Sequence, residues 1–280
     1  MVVLDYLLQF IEEDAPSGDV TSAAIIPDIT CSAIIRAEQV GIIAGLEEAS
    51  TLFSHFGVSV KHLAKDGDAV GQNDSLLLLN GDAKKILLVE RTALNIIGRM
   101  SGIATQVRKM ADIVSAVNPC CRIAATRKTC PGFRILDKKA VQIGGGDPHR
   151  LNLSDGILIK DNHLALIPLV TAIRAAKKVS AYKKVEVEVE TSDDALSASR
   201  AGADIIMLDN MSPGQITRTI RVLKSEGLRD HVIVELSGSI DESSLPRYAV
   251  LEVDVISLGV LTHSVRNFSV NLEIIPQIIP

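Results

Sequence analysis

The sequence predicts an α/β protein whose second half forms an α/β barrel, and two observations lead there. From residue 120 onward, short apolar runs alternate with helical stretches at intervals of about 20–30 residues, the pattern of parallel strands joined by crossover helices. In addition, the position just past nearly every apolar run carries a reactive side chain. The chain has 280 residues, long enough for one large barrel or for two domains.

The strand-like runs are "RIAAT" from residue 122, "GILIK" from 156, "KVEVEVE" from 184, "DIIMLDN" from 204, "HVIVELSG" from 231 and "VDVISLG" from 253. Between them "RILDKKAVQI", "LALIPLVTAIRAAKKV", "SDDALSASRAG", "SPGQITRTIRVLKSEG" and "DESSLPRYA" read as helices. Asp193 and Asp194, early in one of these, suit the positive N-terminal end of its dipole. Such repeats fit an open doubly wound sheet or a closed barrel. Arg127 and Lys128, Lys160, Glu188 and Glu190, Asp209 and Asn210, Ser237, and Ser257 all stand at strand ends. A barrel assembles its site from many strand ends, whereas an open sheet uses mainly its switch-point loops, so the barrel is favoured. Six strands in place of eight make it irregular, with a segment of the first region expected to help close it.

Residues 1–118 mix element types. "LDYLLQFIEED" has helical apolar spacing, and "APSGDVTS" is a turn. "CSAIIRA", "VGIIAG", "VSVKHLA" and "SLLLLNG" read as strands, with "LEEASTLFSHF" a helix between them. A long helical pattern follows from Ala83 to about Val117, with an interruption expected at Gly98 and at "SGIAT", residues 101–105. This region predicts a sheet with helices on one face.

Composition narrows the function. No window approaches the roughly 18–20 continuous apolar residues that span a bilayer. The N-terminal "MVVLDYLLQFIEED" turns acidic within five residues, so it reads as an amphipathic helix and not a signal peptide, and a cytoplasmic location is expected. A net charge of −5, a pI near 5.7, no Trp and 3% aromatics argue against nucleic-acid binding, which needs broad basic surfaces and stacking platforms. Cys31, Cys120, Cys121 and Cys130 form no C-x-x-C pair and read as buried reduced thiols.

Positive charge is local. "TRKTCPGFRILDKKAVQIGGGDPHR", residues 126–150, holds Arg127, Lys128, Arg134, Lys138, Lys139 and Arg150 against only Asp137 and Asp147. With "LIKDNH", it allows Arg127, Lys128, His149, Arg150, Lys160 and His163 to converge. Guanidinium forks there would hold a planar dicarboxylate. Lys138 and Lys139 read as a solvated helix face or a subunit contact, and Gly144 to Gly146 as the turn that delivers His149 and Arg150.

Two further constellations carry chemistry. "VEVEVE" puts Glu186, Glu188 and Glu190 on one inward face by its period of 2, where carboxylates need cations. Lys128, Lys160, Arg127 or a metal can serve, and Asp209 completes a hard-oxygen pair for Mg²⁺; the alternative is an internal ion-pair cluster without metal. "ELSGSI" (235–240) and "SLGVLTHS" (257–264) each place Ser and Gly after a strand, where backbone N–H groups form anion nests. Adjacent nests on the last strands match the phosphate position common in barrels.

Together "GDVTS", "ERTALN", "SGIAT", "TRKTCPGFR", "KKAVQIGGGDPHR", "NLSDGILIKDNH", "VEVE", "IIMLDN", "ELSG" and "LTHS" closely resemble the quinolinate phosphoribosyltransferase family nearly end to end. The resemblance implies an N-terminal α/β sandwich, residues 1–105 with 266–280, and an irregular six- or seven-stranded α/β barrel, residues 106–265. It implies conversion of quinolinate and phosphoribosyl pyrophosphate into nicotinate mononucleotide, pyrophosphate and CO₂ with Mg²⁺. It also implies a homodimer with a shared site, or a hexamer built on it. By this likeness Arg127, His149, Arg150 and Lys160 line the quinolinate pocket, Lys128 lies near that pocket and the pyrophosphate, and Arg91 reaches in from the partner subunit. Glu188 and Asp209 match the acidic residues near the ribose and metal, while Ser237, Gly238, Ser239, Gly259 and His263 match the phosphate site. Ser239 stands where a second glycine is usual, and "FSVNL" (268–272) replaces an acidic "D-x-S-L". The competing readings are a paralogue associated with molybdenum transport, a Schiff-base lyase using Lys160, and a non-catalytic nucleotide-binding barrel.

Overall fold

The computed structural model describes residues 4–275. The chain divides into two compact units: Met1–Gln106 with Ile135–Gly144 and Val265–Pro280, and Val107–Arg134 with Gly145–Ser264. The sequence-based assignment of residues 1–3 and 276–280 lies outside the described residues.

The elements of the first half are α1 (Leu4–Asp14), α2 (Val20–Ile25), β1 (Thr30–Ala37), β2 (Gly41–Ile42), α3 (Leu46–His55), β3 (Ser59–His62), β4 (Ala69–Val70), β5 (Ser75–Asp82) and α4 (Ala83–Ser115). β6 (Arg122–Ala124), α5 (Arg134–Ile143), β7 (Ile157–Ile159), α6 (Asp161–Leu164), α7 (Leu169–Lys177), β8 (Val185–Val189) and α8 (Ser192–Ala201) follow. β9 (Ile205–Asp209), α9 (Pro213–Ser225), β10 (Ile233–Ser237), α10 (Leu245–Ala249), β11 (Val255–Ser257), α11 (Val260–His263) and β12 (Val270–Ile275) complete the chain.

The first unit is built on an antiparallel sheet of order β12-β1-β5-β3. Ile35, Leu77 and Leu79 are fully buried there, so the β-branched and leucine-rich runs of β1 and β5 supply its core. The "FSVNL" segment enters this sheet as β12, pairing Val270 to Ile275 with β1, and Phe268 is buried.

α4 is one continuous helix through Gly98 and "SGIAT", contrary to the expected interruption. The glycines serve close packing instead. A Cβ on Gly102 would lie 2.1 Å from Arg266 O, and one on Gly98 would lie 3.0 Å from Phe268 O. The Phe268 N–H donates to Gly98 O at 2.7 Å, so the segment before β12 rests directly on the helix backbone.

α5 groups with the first unit, although the sequence placed it in the barrel, and its lysines do not form a solvated face. Asp137 is fully buried and takes both Arg99 Nε at 2.8 Å and Arg99 Nη2 at 2.9 Å, while Lys138 is 3% exposed. Lys139 Nζ donates to Glu47 and Glu48 of α3, each at 2.7 Å. These pairings anchor α5 to α3 and α4. The cysteines also depart in part from expectation: Cys31 and Cys121 are buried, but Cys120 and Cys130, both in loops, are exposed.

The second unit contains a six-stranded parallel sheet of order β6-β11-β10-β9-β8-β7. This is chain order apart from β6, which joins the last strand as barrel winding requires. Beside β6 the chain after α5 adds a parallel bridge, Ala124 to Asp147, so residues 145–150, and not a segment of the first region, extend the sheet toward closure. Helix ends are specified locally. Thr191 caps α8 by accepting from Asp194 N at 3.1 Å, and Ser212 and Gln215 form a capping box on α9 with Pro213 at its start. Ile216, Ile220 and Leu223 bury one stripe of α9.

The strand register sets layers inside the barrel. Glu188 pairs laterally with Met207, Met207 with Glu235, and Glu235 with Val255. One step toward the strand ends, Asp209 pairs with Ser237. Side chains in one layer project to the same face.

Candidate active site

The C-terminal strand ends of the second unit enclose a cavity of about 670 Å³. Of the predicted site residues, Arg127, Lys128, His149, Arg150, Lys160, Glu188, Asp209 and the 237–239, 259 and 263 positions line it. Arg91 lies on α4 in the first unit and is exposed. His163 and Glu190 do not line the cavity. Both are exposed, Glu190 because β8 ends at Val189.

The cationic wall comes from two loops. After β6, the Lys128 N–H donates to Thr126 Oγ1 at 3.1 Å, and Lys128 O accepts from Thr262 Oγ1 of α11 at 2.9 Å. This fixes the turn and turns Arg127 inward, where its Nε is buried without a hydrogen-bond partner. A buried guanidinium donor at a cavity wall is suited to an anionic acceptor. The second loop follows Gly145, whose φ of +93° needs a glycine. The Asp147 carboxylate then accepts from His149 N at 2.8 Å, holding His149 at an unusual φ of +55°. Arg150 donates from Nη1 to Gly156 O at 3.2 Å. Burial, followed by the like charge of Arg127, lowers its pKa below the ordinary guanidinium value. Such crowding of two guanidinium groups is relieved by an anion between them.

The acidic wall is held by partners of its own. Lys160 Nζ lies 2.6 Å from Glu188 Oε2, and Asn210 Nδ2 donates to Asp209 Oδ2 at 2.6 Å. Each contact engages one carboxylate oxygen. Two carboxylates on adjacent strands, beside room for phosphate groups, are a donor set that fits Mg²⁺.

At the last strands, close approach favours glycine. Gly238 has φ +136°, and a Cβ there would lie 2.7 Å from Asn210 Oδ1. A Cβ on Gly259 would come within 3.1 Å of both Lys128 Cδ and His263 Cδ2. Ser239 is exposed at the mouth of the 238–240 turn.

Sequence reading missed Glu235, which is 2% exposed in the middle of β10 and lines the cavity. His149 Nε2 lies 3.6 Å from Glu235 Oε1 and 3.3 Å from Glu186 Oε2. Burial, then the charge of Glu186, pushes the Glu235 carboxyl up to about 7. The signal was available: Glu235 is two residues before Ser237 and so shares its face.

Residues 103–273 match the family model "Quinolinate phosphoribosyl transferase, C-terminal domain", and residues 19–101 match its N-terminal-domain counterpart. The chain is 46% identical to a probable nicotinate-nucleotide pyrophosphorylase [carboxylating] of Methanothermobacter thermautotrophicus, covering 97% of this chain and 99% of the relative. It is 37% identical to a protein of the same description from Bacillus subtilis, over 96% and 92% of the two chains. Among solved structures, the nicotinate-nucleotide pyrophosphorylase from Francisella tularensis superposes with a TM-score of 0.90 at 33% identity, over 98% of each chain.

Proposed function

Since this chain belongs to the quinolinate phosphoribosyl transferase family, we propose that the strand-end cavity joins quinolinate to phosphoribosyl pyrophosphate, releasing pyrophosphate and CO₂ and leaving nicotinate mononucleotide. The observation that carries this is the division of one cavity into a guanidinium- and lysine-rich wall, an acidic wall and a glycine-lined turn. A dicarboxylate, a ribose and a phosphate each find a matching surface.

Arg127 and Arg150 bind the two quinolinate carboxylates by forked hydrogen bonds, with His149 and Lys160 closing the pocket. The orphan Nε of Arg127 supports this role. Lys128 neutralises the departing pyrophosphate. The 237–239 and 259 backbone with His263 receives the 5′-phosphate. As pyrophosphate leaves, positive charge grows on the ribose, and Glu188 and Asp209 stabilise it at close range. Glu188 and Asp209 would also hold Mg²⁺, which when bound supplies charge neutralisation for the pyrophosphate leaving group. Loss of CO₂ leaves an electron pair on the ring beside the cationic wall. Lys160, paired with Glu188 at 2.6 Å, acts as a charge; a Schiff-base lysine is instead a desolvated free amine.

Arg91 completes the quinolinate pocket from the partner subunit of a homodimer, a role that its family motif "ERTALN" and its exposure on α4 support. Among the described residues no helix is long and apolar enough to cross a membrane, and we place the enzyme in the cytoplasm.

The test is one assay with quinolinate, phosphoribosyl pyrophosphate and Mg²⁺, following pyrophosphate and CO₂. Both products are expected in equal amounts. Pyrophosphate release with nicotinate but not with quinolinate would overturn the substrate assignment.

A further inference from the structure

The reaction has a requirement that the groups above do not meet. When the C–COO⁻ bond of the ring breaks heterolytically, CO₂ leaves and the electron pair stays on the vacated ring carbon. That carbon must then take up a proton. Arg127 and Arg150 are weak acids that bind the carboxylates, the Lys160 ammonium is engaged by Glu188 at 2.6 Å, and Glu188 and Asp209 serve the ribose.

The second unit contains another cavity, of about 540 Å³, lined by residues at the opposite ends of the strands, among them Arg122, Lys184 and Asp254. His149, Arg150 and Glu235 line both cavities. Glu235 is therefore a buried carboxyl reaching the active-site cavity on one side and a second, partly polar cavity on the other. Its surroundings come from four elements: Glu186 on β8, Met207 on β9, Ser257 on β11, and His149 with Asp147 on the segment after α5. Glu186 Oε1 is buried and has no hydrogen-bond partner. His149 Nδ1 accepts the Arg150 N–H at 2.7 Å, so that nitrogen carries no proton. The imidazole proton is then on Nε2, the atom facing Glu186 and Glu235.

We propose that Glu235 protonates the ring carbon vacated by CO₂, with His149 as the positioning residue that stabilises the carboxylate left behind. This deepens the reading above and rests on it. The Glu235 O–H bond breaks, its proton forms the new C–H bond, and the carboxylate left behind faces the polar N–H of His149, whose Nε2 lies 3.6 Å away. Glu235 then takes up a solvent proton by way of the second cavity. The raised pKa of Glu235 agrees with this role, since it keeps a proton available near neutral pH.

The decisive variant is Glu235→Gln, which keeps shape and loses the acidic proton. In single-turnover experiments with the full-length protein, quinolinate and phosphoribosyl pyrophosphate, pyrophosphate should still appear. Nicotinate mononucleotide should form about a hundredfold more slowly than in the wild type. The wild-type rate of mononucleotide formation should fall as pH rises through about 7, and the variant should lose that fall. A variant that forms the mononucleotide at the wild-type rate, or that keeps the same pH limb, overturns the proposal. Should the variant not fold, the wild type decides: a level single-turnover profile across that range, with no solvent deuterium isotope effect, overturns it as well. Absence of pyrophosphate from the wild-type reaction would count against the underlying activity instead, so the two failures are distinguishable.

Discussion

Lys160 Nζ stands 2.6 Å from Glu188 Oε2, joining the end of β7 to the end of β8. The pair sits where the cationic wall of the cavity meets its acidic wall. Glu188→Gln removes the negative charge that faces the developing positive charge on the sugar. We expect kcat to fall by about a hundredfold or more with quinolinate KM changed little. Lys160→Ala should raise quinolinate KM as well. Steady-state kinetics on both variants checks this, and a Glu188→Gln effect confined to KM would contradict the assigned role.

A buried ion pair makes a prediction about stability. Asp137 is fully buried and bound by two Arg99 nitrogens. Asp137→Ala takes the carboxylate away from a guanidinium whose side chain is only 21% exposed and should cost about 3 kcal/mol, readable by urea denaturation. Replacing both partners with apolar residues, Arg99→Met with Asp137→Leu, should recover most of that loss.

Two glycines separate folding from ligand binding. Gly102→Ala would drive a methyl to 2.1 Å from Arg266 O, a backbone atom that cannot rotate away. It should lower the melting temperature strongly. Gly238→Ala strains a φ of +136° and presses on Asn210 Oδ1 in the turn proposed to receive the 5′-phosphate. It should raise the KM for phosphoribosyl pyrophosphate at least tenfold with a smaller change in melting temperature. Equal thermal losses in the two variants would contradict this division.

The barrel and most of its site were legible because parallel β-α units announce themselves by period, and because strand ends in a barrel converge by geometry. Glu188, Asp209 and Ser237 were readable as neighbours for that reason. What escaped depended on packing across elements. Nothing local in "LDKKAV" says that Asp137 meets Arg99 of α4 or that Lys139 meets Glu47 and Glu48 of α3, so the lysines looked solvated. Gly98 and Gly102 looked like helix breakers because the strand-entry segment that needs their missing side chains lies more than 160 residues away. Glu235 was hidden inside an apolar run whose flanking valine and leucine dominate the pattern.

The partner-supplied role of Arg91 is testable by complementation. Arg91→Ala and Arg127→Ala should each be nearly inactive alone. Mixed and allowed to exchange subunits, they should regain up to about a quarter of wild-type activity, since some hybrid dimers then hold one intact site. Absence of any regain, with exchange verified by mass, would place Arg91 in its own subunit's site or outside it.

Glu235 also predicts how stability follows pH in the ligand-free protein. Its carboxyl titrates at about 7 when folded, against an ordinary value of 4.5. Between those values the folded state therefore binds more protons than the unfolded state, and stability falls as pH rises from about 4.5 through 7. The cost above pH 7 is at most on the order of 3 kcal/mol, being the work of ionising a buried carboxyl beside Glu186. Glu235→Gln has no charge to ionise and should escape that cost. Denaturation at about pH 5 and pH 8 should show the variant gaining stability on wild type at the higher pH. A difference that stays constant with pH would mean that Glu235 is ionised throughout, and it would remove the proton that ring protonation requires.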